Sequence, residues 1–378
     1  MSPLSPRIIG IDASKLRVAQ RTGTEHYTAR LIAHLPLLDR DEEVRLYLNG
    51  RDRPAEARDD LALRQIPFPR VWTHARLSWE MLRQPPDVLF VPAHVIPAIH
   101  PTTVVTIHDL GYLIEPACHP AHDLRWLKLT TRWSAHAASR IITPSRTTKH
   151  DLVARLNVDP AKIVVVPHGV DRRFSAIPQP DDDAVRHRLA LPRRYVLTVG
   201  TIQPRKNLPA LAKAVAALRL LDPGLHLVVV GKHGWNATTV LTGIAAARLG
   251  AYLTVLGYID DDDLPAVYRG ATTFCLPSLY EGFGLPALEA LASGVPAVVS
   301  NRGSLPEIVS DAGLVADPDS VPALTESLRQ TLADDDLRRS LIGAGIARAA
   351  RFPWDLTATR TLDVLREVAS QSGTHGPA

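Results

Sequence analysis

The sequence predicts an α/β protein with two doubly wound domains, each formed by a parallel sheet with helices on both faces. Short apolar runs rich in Val and Ile alternate along the chain with stretches whose apolar residues have helical spacing. Continuous apolar strands that alternate with helices are typical of parallel sheets buried on both faces. The length of 378 residues also suits two domains of ordinary size better than a single core.

The predicted strands fall into two series, and we expect each series to form its own sheet. The first series comprises residues 7–11, 44–48, 88–91, 104–107, 140–143 and 163–166. The second series comprises residues 195–199, 225–230, 253–256, 273–276 and 297–299. Apolar residues at helical spacing predict helices between the strands, for example over residues 208–221 and 286–293.

A segment with three prolines and three consecutive aspartates, residues 174–192, separates the two series. Prolines and a run of like charges favour a connection over a helix or strand. We therefore predict a first domain (1–175), a linker (176–192), a second domain (193–351) and a terminal helix with a polar tail (352–378). Because ligands of doubly wound sheets bind at the carboxyl ends of the strands, we expect these ends of the two domains to face each other across a cleft. The terminal helix is expected to pack back on the first domain.

The composition excludes several classes of protein. Hydrophobic residues make up 46% and charged residues 22% of the chain, which is typical of globular proteins. The two cysteines, Cys118 and Cys275, are too few and too far apart for a disulfide framework or a CxxC metal site. The most apolar long stretch, residues 88–107, is interrupted by three prolines and two histidines, which argues against a transmembrane helix. Since the N-terminus also lacks a signal-peptide pattern, we expect a cytoplasmic protein.

Charge is distributed unevenly along the chain. Residues 1–180 hold 24 Lys and Arg against 18 Asp and Glu, whereas the remainder holds 19 against 21. Two interpretations stay open: a first half that attracts an anionic partner over long range, or ordinary surface variation. No cluster of Lys and Arg is interleaved with aromatic residues, so we expect no nucleic-acid partner.

One stretch of the first half carries large apolar residues at helical spacing. One helical face carries Trp126, Leu129 or Thr130, Trp133 and Ala137, with Arg125, Lys128, Arg132 and Arg140 around it. We expect this apolar stripe to face the core and the cations to face solvent. The alternative is a basic amphipathic surface in peripheral contact with anionic lipid.

The most informative segment for chemistry is residues 276–299, LPSLYEGFGLPALEALASGVPAVV. A predicted strand is followed by a loop with Gly282 and Gly284, and then by a helix with proline in its first turn. Glycines permit close backbone approach, and free N–H groups at the positive helix end favour a phosphate. Glu281 and Glu289 flank this loop and would repel a phosphate. Sugar and ribose hydroxyls are therefore their better partners.

A pair of cations follows the first strand of the second series. Arg205 and Lys206 come after the strand over residues 195–199 and before a predicted helix. Two adjacent cations at the carboxyl end of a strand suit an anionic ligand such as a phosphate group. No D-x-D motif follows a predicted strand. The nearest carboxylate cluster, residues 260–263, is interpreted as the solvated cap of a helix.

The segment 276–299 resembles the E-x7-E signature of retaining glycosyltransferases of the GT4 family, which have the GT-B fold of two Rossmann-like domains. Further segments resemble the same family, in the same order along almost the whole chain: RTGTEHYT (21–28), TIHDL (106–110), PSRTTKHDL (144–152), VVPHGVD (165–171), VGTIQPRKN (199–207), VVVGKHGW (228–235), LGYIDDDDL (256–264) and GSLPEIV (303–309).

The resemblance implies that the donor binds mainly to the second domain. Glu281 would contact the donor sugar hydroxyls, Glu289 the ribose, and Arg205 and Lys206 the diphosphate without a metal ion. The implied donor-binding residues are Gly23, Gly200, Arg205, Lys206, Tyr258, Ile259, Glu281, Gly282, Phe283, Gly284, Leu285 and Glu289. The glycine-rich loop would act through its backbone, and the segment with Tyr258 and Ile259 would contact the nucleobase.

The resemblance also implies an acceptor side in the first domain, formed by Gly23, His108 and Asp109. Gly23 would let its loop approach the donor phosphate and the acceptor, and His108 would face the donor sugar and the reaction centre. Many relatives have GIGRY or GTGRY where this chain has GTEHY (23–27), so the basic residue of that pattern is absent and Glu25 and His26 have no assigned role.

We therefore expect a retaining glycosyltransferase that moves a hexose from a nucleotide-diphosphate sugar to a glycan or lipid-linked acceptor. Its catalytic residues would be His108, Arg205, Lys206 and Glu281. GDP-mannose is the first choice of donor, with a UDP-sugar or dTDP-sugar as alternatives, and no cofactor or metal is expected. A catalytically silent subunit that binds nucleotide or glycan and scaffolds a partner is the alternative from another class. A phosphorylase is disfavoured, since no lysine stands in an evident cofactor-aldehyde context.

Overall fold

A computed structural model describes residues 6–17, 21–39 and 41–372. Within these ranges the strands are β1 (Arg7–Asp12), β2 (Glu42–Leu48), β3 (Ala62–Gln65), β4 (Val88–Val91), β5 (Thr103–Thr106), β6 (Arg140–Thr143), β7 (Ile163–Val165), β8 (Tyr195–Val199), β9 (His226–Val230), β10 (Leu253–Gly257), β11 (Thr273–Leu276), β12 (Ala297–Ser300) and β13 (Gly313–Ala316).

The helices of the same ranges are α1 (Gly23–Ala33), α2 (Ser78–Arg83), α3 (Gly111–Ile114), α4 (Ala121–Ala137), α5 (Arg146–Leu156), α6 (Asp182–Arg188), α7 (Leu208–Leu218), α8 (Ala237–Ala245), α9 (Leu264–Arg269), α10 (Leu285–Ala292), α11 (Leu305–Val309), α12 (Val321–Ala333), α13 (Asp335–Ala349) and α14 (Trp354–Ser372). A π-helical turn over Thr73–Leu77 leads into α2. None of the described helices is long and apolar enough to cross a membrane.

The chain divides into two compact units. The first unit holds the residues up to Leu110, Arg125–Gly169 and the residues from Trp354 on, and the second unit holds Gly111–Leu124 and Val170–Pro353. The segment that we predicted as a linker contains α6, a helix that opens with Asp182 and Asp183 and ends with basic residues. Acidic residues in the first turn and basic residues in the last turn stabilise a helix through its dipole, which explains why these charges do not form an open connection.

Each unit contains one parallel sheet, as the alternating pattern predicts. The strand order is β3-β2-β1-β4-β5-β6-β7 in the first unit and β10-β9-β8-β11-β12-β13 in the second. In both sheets the order reverses beside the first strand, between β1 and β4 and between β8 and β11. The crevice at such a reversal is where doubly wound sheets bind ligands.

Two strands, β3 and β13, were not predicted, and both lie at an edge of their sheet. The last two residues of β3 are exposed, and β13 has an exposed position in its centre. An edge strand does not need the continuous apolar run that marks a strand buried on both faces. The predicted strands in the sheet interiors, by contrast, agree with the structure to within one or two residues at each end.

The last helix, α14, belongs to the core of the first unit. Its Trp354, Leu362 and Leu365 are buried in the same apolar cluster as Ile9 of β1 and Phe90 of β4. Burial of large apolar side chains of this kind contributes about 1.5–3 kcal/mol each. The first sheet is therefore covered by a helix from the far end of the sequence.

The expectation that the apolar stripe of α4 faces the core is wrong. Trp126, Leu129 and Trp133 are 55%, 68% and 38% exposed. The face that α4 buries instead carries small and hydroxyl-bearing residues, which are Thr130, Thr131, Ser134 and Ala135. Small residues let the helix approach the rest of the unit closely, and Thr130 satisfies its hydroxyl by donating to the Trp126 carbonyl at 2.8 Å.

Candidate functional site

Three predicted site residues of the second unit form one charged cluster. The turn Pro204–Lys206 follows β8, and Glu281 lies in the loop after β11. The two strands are neighbours in the sheet, so their carboxyl ends bring these residues together. Lys206 Nζ lies 2.6 Å from Glu281 Oε1, and Arg205 Nη1 lies 2.9 Å from Glu281 Oε2. One carboxylate thus bridges two cations, which leaves a net charge of one positive unit.

This cluster is largely shielded from water. Lys206 and Glu281 are buried, and Arg205 is half-buried and also donates to the carbonyl of Tyr280. Burial by itself would raise the pKa of Glu281, but the adjacent Arg205 and Lys206 outweigh burial and bring this pKa to about 2. Glu281 is therefore ionised throughout the neutral range. A carboxylate of such low basicity is a poor proton acceptor.

Glycines and a serine fix the backbone around the cluster. Gly200, with φ of +144°, passes so close to Lys206 that a Cβ there would lie 3.0 Å from the Lys206 Cε. A Cβ on Gly303 would lie 2.4 Å from the carbonyl oxygen of Glu281. Ser304 Oγ donates to the carbonyls of Glu281 and Phe283 at 3.0 and 2.8 Å. The loop is therefore held by its own backbone contacts before any ligand binds.

The predicted phosphate loop leads directly into α10. Gly284 has φ of +102°, a conformation that favours glycine, and it precedes Leu285, the first residue of the helix. Pro286 occupies the first turn, where its missing N–H is not needed. Gly282 and Phe283 are buried in the preceding loop. This arrangement presents the positive end of a helix without an acidic residue in its first turn.

Glu289 is buried on α10, which excludes a solvated helix residue as its structural role. The hydroxyl of Tyr268 donates to Glu289 Oε2 at 2.9 Å. Burial raises the pKa of Glu289 to about 7, although Tyr268 and Arg173 act in the opposite direction. Its carboxyl group therefore changes charge near neutral pH, unlike that of Glu281.

The loop after β10 holds the predicted nucleobase contacts. Tyr258 and Ile259 are half-buried there, and Ile259 packs against the core of the second unit. The aspartates that follow were predicted to cap α9, but this role is not seen. Asp263 stands at the cap position without a capping hydrogen bond, and its carboxylate instead accepts from Arg188 at 2.7 and 3.0 Å.

A cavity of the second unit lies at the opposite end of its sheet from the charged cluster. Its volume is about 540 Å³, and its lining includes Arg194, His226 and Thr254. These residues stand at the amino ends of β8, β9 and β10, whereas the charged cluster stands at the carboxyl ends. A search by cavity size alone would therefore point to the amino ends of the strands, away from the predicted site residues.

In the first unit, His108 follows β5 and makes contacts through both ring nitrogens. Its Nε2 lies 3.0 Å from the Pro92 carbonyl, to which it donates, and its Nδ1 lies 3.3 Å from His168 Nε2. Burial lowers the pKa of His108, so the ring is neutral at pH 7. A neutral ring that donates from Nε2 accepts at Nδ1. To contact a sugar hydroxyl, His108 must therefore exchange one of these two bonds. His168, to which the sequence assigned no role, is its buried partner.

The other predicted residues of the acceptor side differ in their local constraints. Gly23 opens α1, and a Cβ there would meet no atom within 4 Å. Glu25, left without a role by the sequence, accepts from the backbone N–H of Thr22 at 3.0 Å and so stabilises the start of α1. Asp109 is half-buried directly after His108.

The sequence analysis missed a cavity of about 320 Å³ in the first unit. Its lining includes Asp12, Lys15, Thr24, Glu25, Trp72, His74 and His94. Asp12 ends β1 and His94 follows β4, the two strands between which the sheet order reverses. Burial raises the pKa of Asp12, and burial together with His108 lowers the pKa of His94 to about 4. The polar residues after these two strands were the signal in the sequence that points to this cavity.

Comparison with known proteins agrees with this architecture. The structure of the sucrose-phosphate synthase from Thermosynechococcus elongatus superimposes with a TM-score of 0.77 at 20% identity, over 97% of this chain and 100% of that chain. The prediction of a GT-B fold built from two Rossmann-like domains is confirmed.

The family follows from the sequence relatives. Residues 21–174 match Glycosyltransferase Family 4, and residues 181–348 match Glycosyl transferases group 1. O-antigen chain mannosyltransferase B from Escherichia coli is 30% identical over 371 residues, which cover 91% of this chain and 96% of that protein. The chain belongs to glycosyltransferase family 4, and the predicted transferase activity is confirmed at this level.

A second relative matches a smaller part of the chain more closely. A D-inositol 3-phosphate glycosyltransferase from Salinispora tropica is 40% identical over 256 residues, which cover 63% of this chain and 52% of that protein. The two relatives are named for different acceptors, so membership of the family leaves donor and acceptor to be argued separately.

Proposed function

We propose that this protein is a retaining, metal-independent transferase that moves mannose from GDP-mannose to a glycan or lipid-linked acceptor in polysaccharide synthesis. The observation that carries this proposal is the buried cluster in which Glu281 bridges Arg205 and Lys206. The mannosyl donor is supported by the Escherichia coli relative, whose match extends over 91% of this chain. A UDP-sugar or dTDP-sugar is the alternative donor.

The cluster supports stabilisation of the leaving group. The leaving diphosphate gains negative charge as the glycosidic bond breaks, and Arg205 and Lys206 supply fixed positive charge in a site largely shielded from water. Their net surplus of one positive charge over Glu281 favours a diphosphate over a neutral ligand. The positive end of α10 adds to the same field.

Glu281 is proposed to orient the donor sugar. Its pKa of about 2 keeps it ionised, so it accepts hydrogen bonds from sugar hydroxyls without taking their protons. Glu289, on α10, is proposed to bind the ribose through its carboxylate, with Tyr268 holding the other side of that group. The backbone of Gly282, Phe283 and Gly284 would contact the diphosphate.

The same low basicity supports a same-face substitution. A carboxylate that two cations neutralise is a weak nucleophile and a weak base, so Glu281 is poorly suited to a covalent intermediate. The leaving phosphate then takes the proton of the acceptor hydroxyl while the new bond forms on the face that the nucleotide leaves. Configuration at the sugar is thereby retained.

The acceptor is proposed to bind in the first-unit cavity. Asp12 and neutral His94 offer hydrogen bonds to hydroxyl groups, and the cavity of about 320 Å³ can hold a sugar ring. Acceptor binding is also proposed to involve the neutral ring of His108, together with Gly23 and Asp109.

A panel of GDP-, UDP-, dTDP- and ADP-sugars, each with and without EDTA, tests the proposal. We expect tight binding and slow hydrolysis of GDP-mannose alone, undiminished by EDTA, and retained configuration of the released mannose by NMR. Selective turnover of another nucleotide-sugar would change the proposed donor and leave the proposed mechanism in place. Binding without turnover for any donor and acceptor pool would favour the silent subunit, and loss of activity in EDTA would refute metal independence.

A further inference from the structure

Two helices of the first unit expose several large apolar residues and bury several polar ones. On α4, as described above, Trp126, Leu129 and Trp133 are exposed. On α2, Trp79 and Leu82 are 53% and 58% exposed. The buried face of α2 carries Met81 together with Ser78 and Glu80, and the carboxylate of Glu80 is paired with Arg64 and Arg76. Both helices thus have an apolar face directed away from the core that they cover.

The exposed residues lie on neighbouring segments. The ring of His74, in the π-helical turn before α2, stands 5.6 Å from the ring of Trp126, and the ring of His100 stands 5.8 Å from that of Trp133. The backbone N–H of Ile99 donates to Ser78 of α2 at 3.4 Å. These contacts join both helices and the segment before β5 into one surface. We call it the tryptophan surface, and its apolar members are Trp79, Leu82, Ile99, Trp126, Leu129 and Trp133.

Cations are interspersed with these apolar side chains. Arg125, Lys128 and Arg132 are exposed on α4, and Arg83 lies over the ring of Trp79 at 5.6 Å. Within the part of the chain that the structure describes, none of the three cations on α4 forms an ion pair. Their charge is therefore available to an anionic partner.

We propose that the tryptophan surface docks reversibly on a bilayer that contains anionic lipid. Trp rings suit the boundary between headgroups and acyl chains, and Lys and Arg beside them can reach phosphate groups while their stems cover apolar surface. A second copy of this chain fits less well. A two-fold contact would place the same four cations of each copy against one another. The proposal goes beyond the sugar transfer proposed above and does not depend on it.

Docking of this kind has a defined dependence on salt and on lipid charge. Electrostatic attraction between exposed charges is screened as ionic strength rises, whereas insertion of apolar side chains is not. We therefore expect binding to anionic vesicles that weakens in high salt, and little binding to neutral vesicles.

Flotation of the full chain with vesicles tests the proposal without any sugar donor. The vesicles consist of phosphatidylcholine alone or of phosphatidylcholine with phosphatidylglycerol, and free glycerol phosphate serves as competitor. We expect binding only to the anionic vesicles, a blue shift of the Trp emission on binding, and no competition by glycerol phosphate. Binding that glycerol phosphate abolishes would overturn the proposal in favour of a soluble phosphate site.

Matched variants locate the surface. Trp126→Ala with Trp133→Ala, and separately Lys128→Glu, should each weaken vesicle binding about tenfold. Trp235→Ala, Leu220→Ser and Lys213→Glu change exposed residues of the second unit and should leave binding unchanged. Thermal melting confirms that each variant is folded. Equal loss in both groups, or a wild-type chain that dimerises through this surface and ignores vesicles, would contradict the proposal.

Discussion

The two candidate ligand sites differ in how their charges are arranged before a ligand binds. In the second unit Glu281, Arg205 and Lys206 already neutralise most of one another's charge, and backbone contacts from Gly303 and Ser304 hold the loop. In the first unit the cavity holds Asp12 and His94, whose burial favours their neutral forms. A fixed ionic site suits a ligand part that never varies, such as a diphosphate. A cavity whose lining combines hydrogen-bonding groups of different kinds, such as the neutral ring of His94 and the carboxyl group of Asp12, suits hydroxyl groups.

We expect the largest effect at the charged cluster of the second unit. Lys206→Ala removes one of two cations that face the leaving group, and we expect turnover to fall about 10²–10³-fold. The measurement is hydrolysis and transfer of the preferred nucleotide-sugar under saturating conditions. Lys213→Ala, an exposed lysine on α7, is the matched control and should keep full activity. Near-normal turnover of the Lys206 variant would remove this cluster from the chemistry.

Glu281→Gln separates sugar orientation from diphosphate binding. We expect sugar transfer to fall about 10²-fold, whereas affinity for the free nucleoside diphosphate is retained or improves, because a repelling carboxylate is gone. The free protein should lose roughly 3–5 kcal/mol of stability, since the buried Lys206 and the half-buried Arg205 lose their partner. Inorganic pyrophosphate should restore part of the melting temperature. Parallel loss of diphosphate affinity and turnover would contradict these separate roles.

Asp12→Asn tests the role of the first-unit cavity in binding the acceptor. We expect an increase of about tenfold in the KM for the acceptor, because the amide of asparagine offers the acceptor hydroxyls a different set of hydrogen-bond donors and acceptors from the carboxyl group. Hydrolysis of the donor without acceptor should stay within about twofold, which a general loss of fold would not allow. An unchanged acceptor KM would place the acceptor outside this cavity.

The ionisation of Glu289 makes stability and donor binding depend on pH. Its pKa of about 7 in the folded protein lies above the ordinary value of 4.5. Between these two pH values the native protein therefore holds a proton on Glu289 that the unfolded chain has lost. The free energy of unfolding therefore falls as pH rises from the ordinary carboxyl pKa to about 7, and it levels off above that pH. Nucleotide-sugar affinity should rise as Glu289 ionises around pH 7, because the ionised carboxylate accepts hydrogen bonds from the ribose. Calorimetric titration from pH 5.5 to 8.5, on the order of three units around that pKa, measures the second effect. Glu289→Gln should show neither trend, and a variant that keeps both would exclude Glu289 as their source.

The smallest expected change concerns Gly23. Since a Cβ there meets no atom within 4 Å, Gly23→Ala should alter the free energy of unfolding by no more than about 0.5 kcal/mol. Loss of activity at unchanged stability would show that the glycine is required by the ligand rather than by the fold. Gly343→Ala, also in open space, controls for the helical preference of alanine.

The sequence was most informative where one physical requirement dominates. Strands buried on both faces need continuous apolar residues, so β4, β6, β8 and β11 were located to the residue. The family resemblance singled out Arg205, Lys206 and Glu281, and the structure brings them together because loops that follow neighbouring parallel strands meet at one edge of the sheet.

Contacts between distant segments were not accessible in the same way. The bond between His108 and His168 joins residues 60 positions apart, and neither residue's neighbours indicate it. The orientation of α4 was missed because apolar spacing shows which side chains share a face, and it does not show on which side the core lies. The buried face carries Thr130, Thr131 and Ser134, which no apolar pattern marks.

The return of α14 to the first unit has a consequence for how the chain is made. Trp354, Leu362 and Leu365 complete the apolar cluster around Ile9 and Phe90. A ribosome produces the sheet of that unit before most of the second unit, and its covering helix only after the second unit. The second unit can therefore close its core during translation. The first unit keeps part of its apolar surface open until α14 has been made, so its core is completed after that of the second unit.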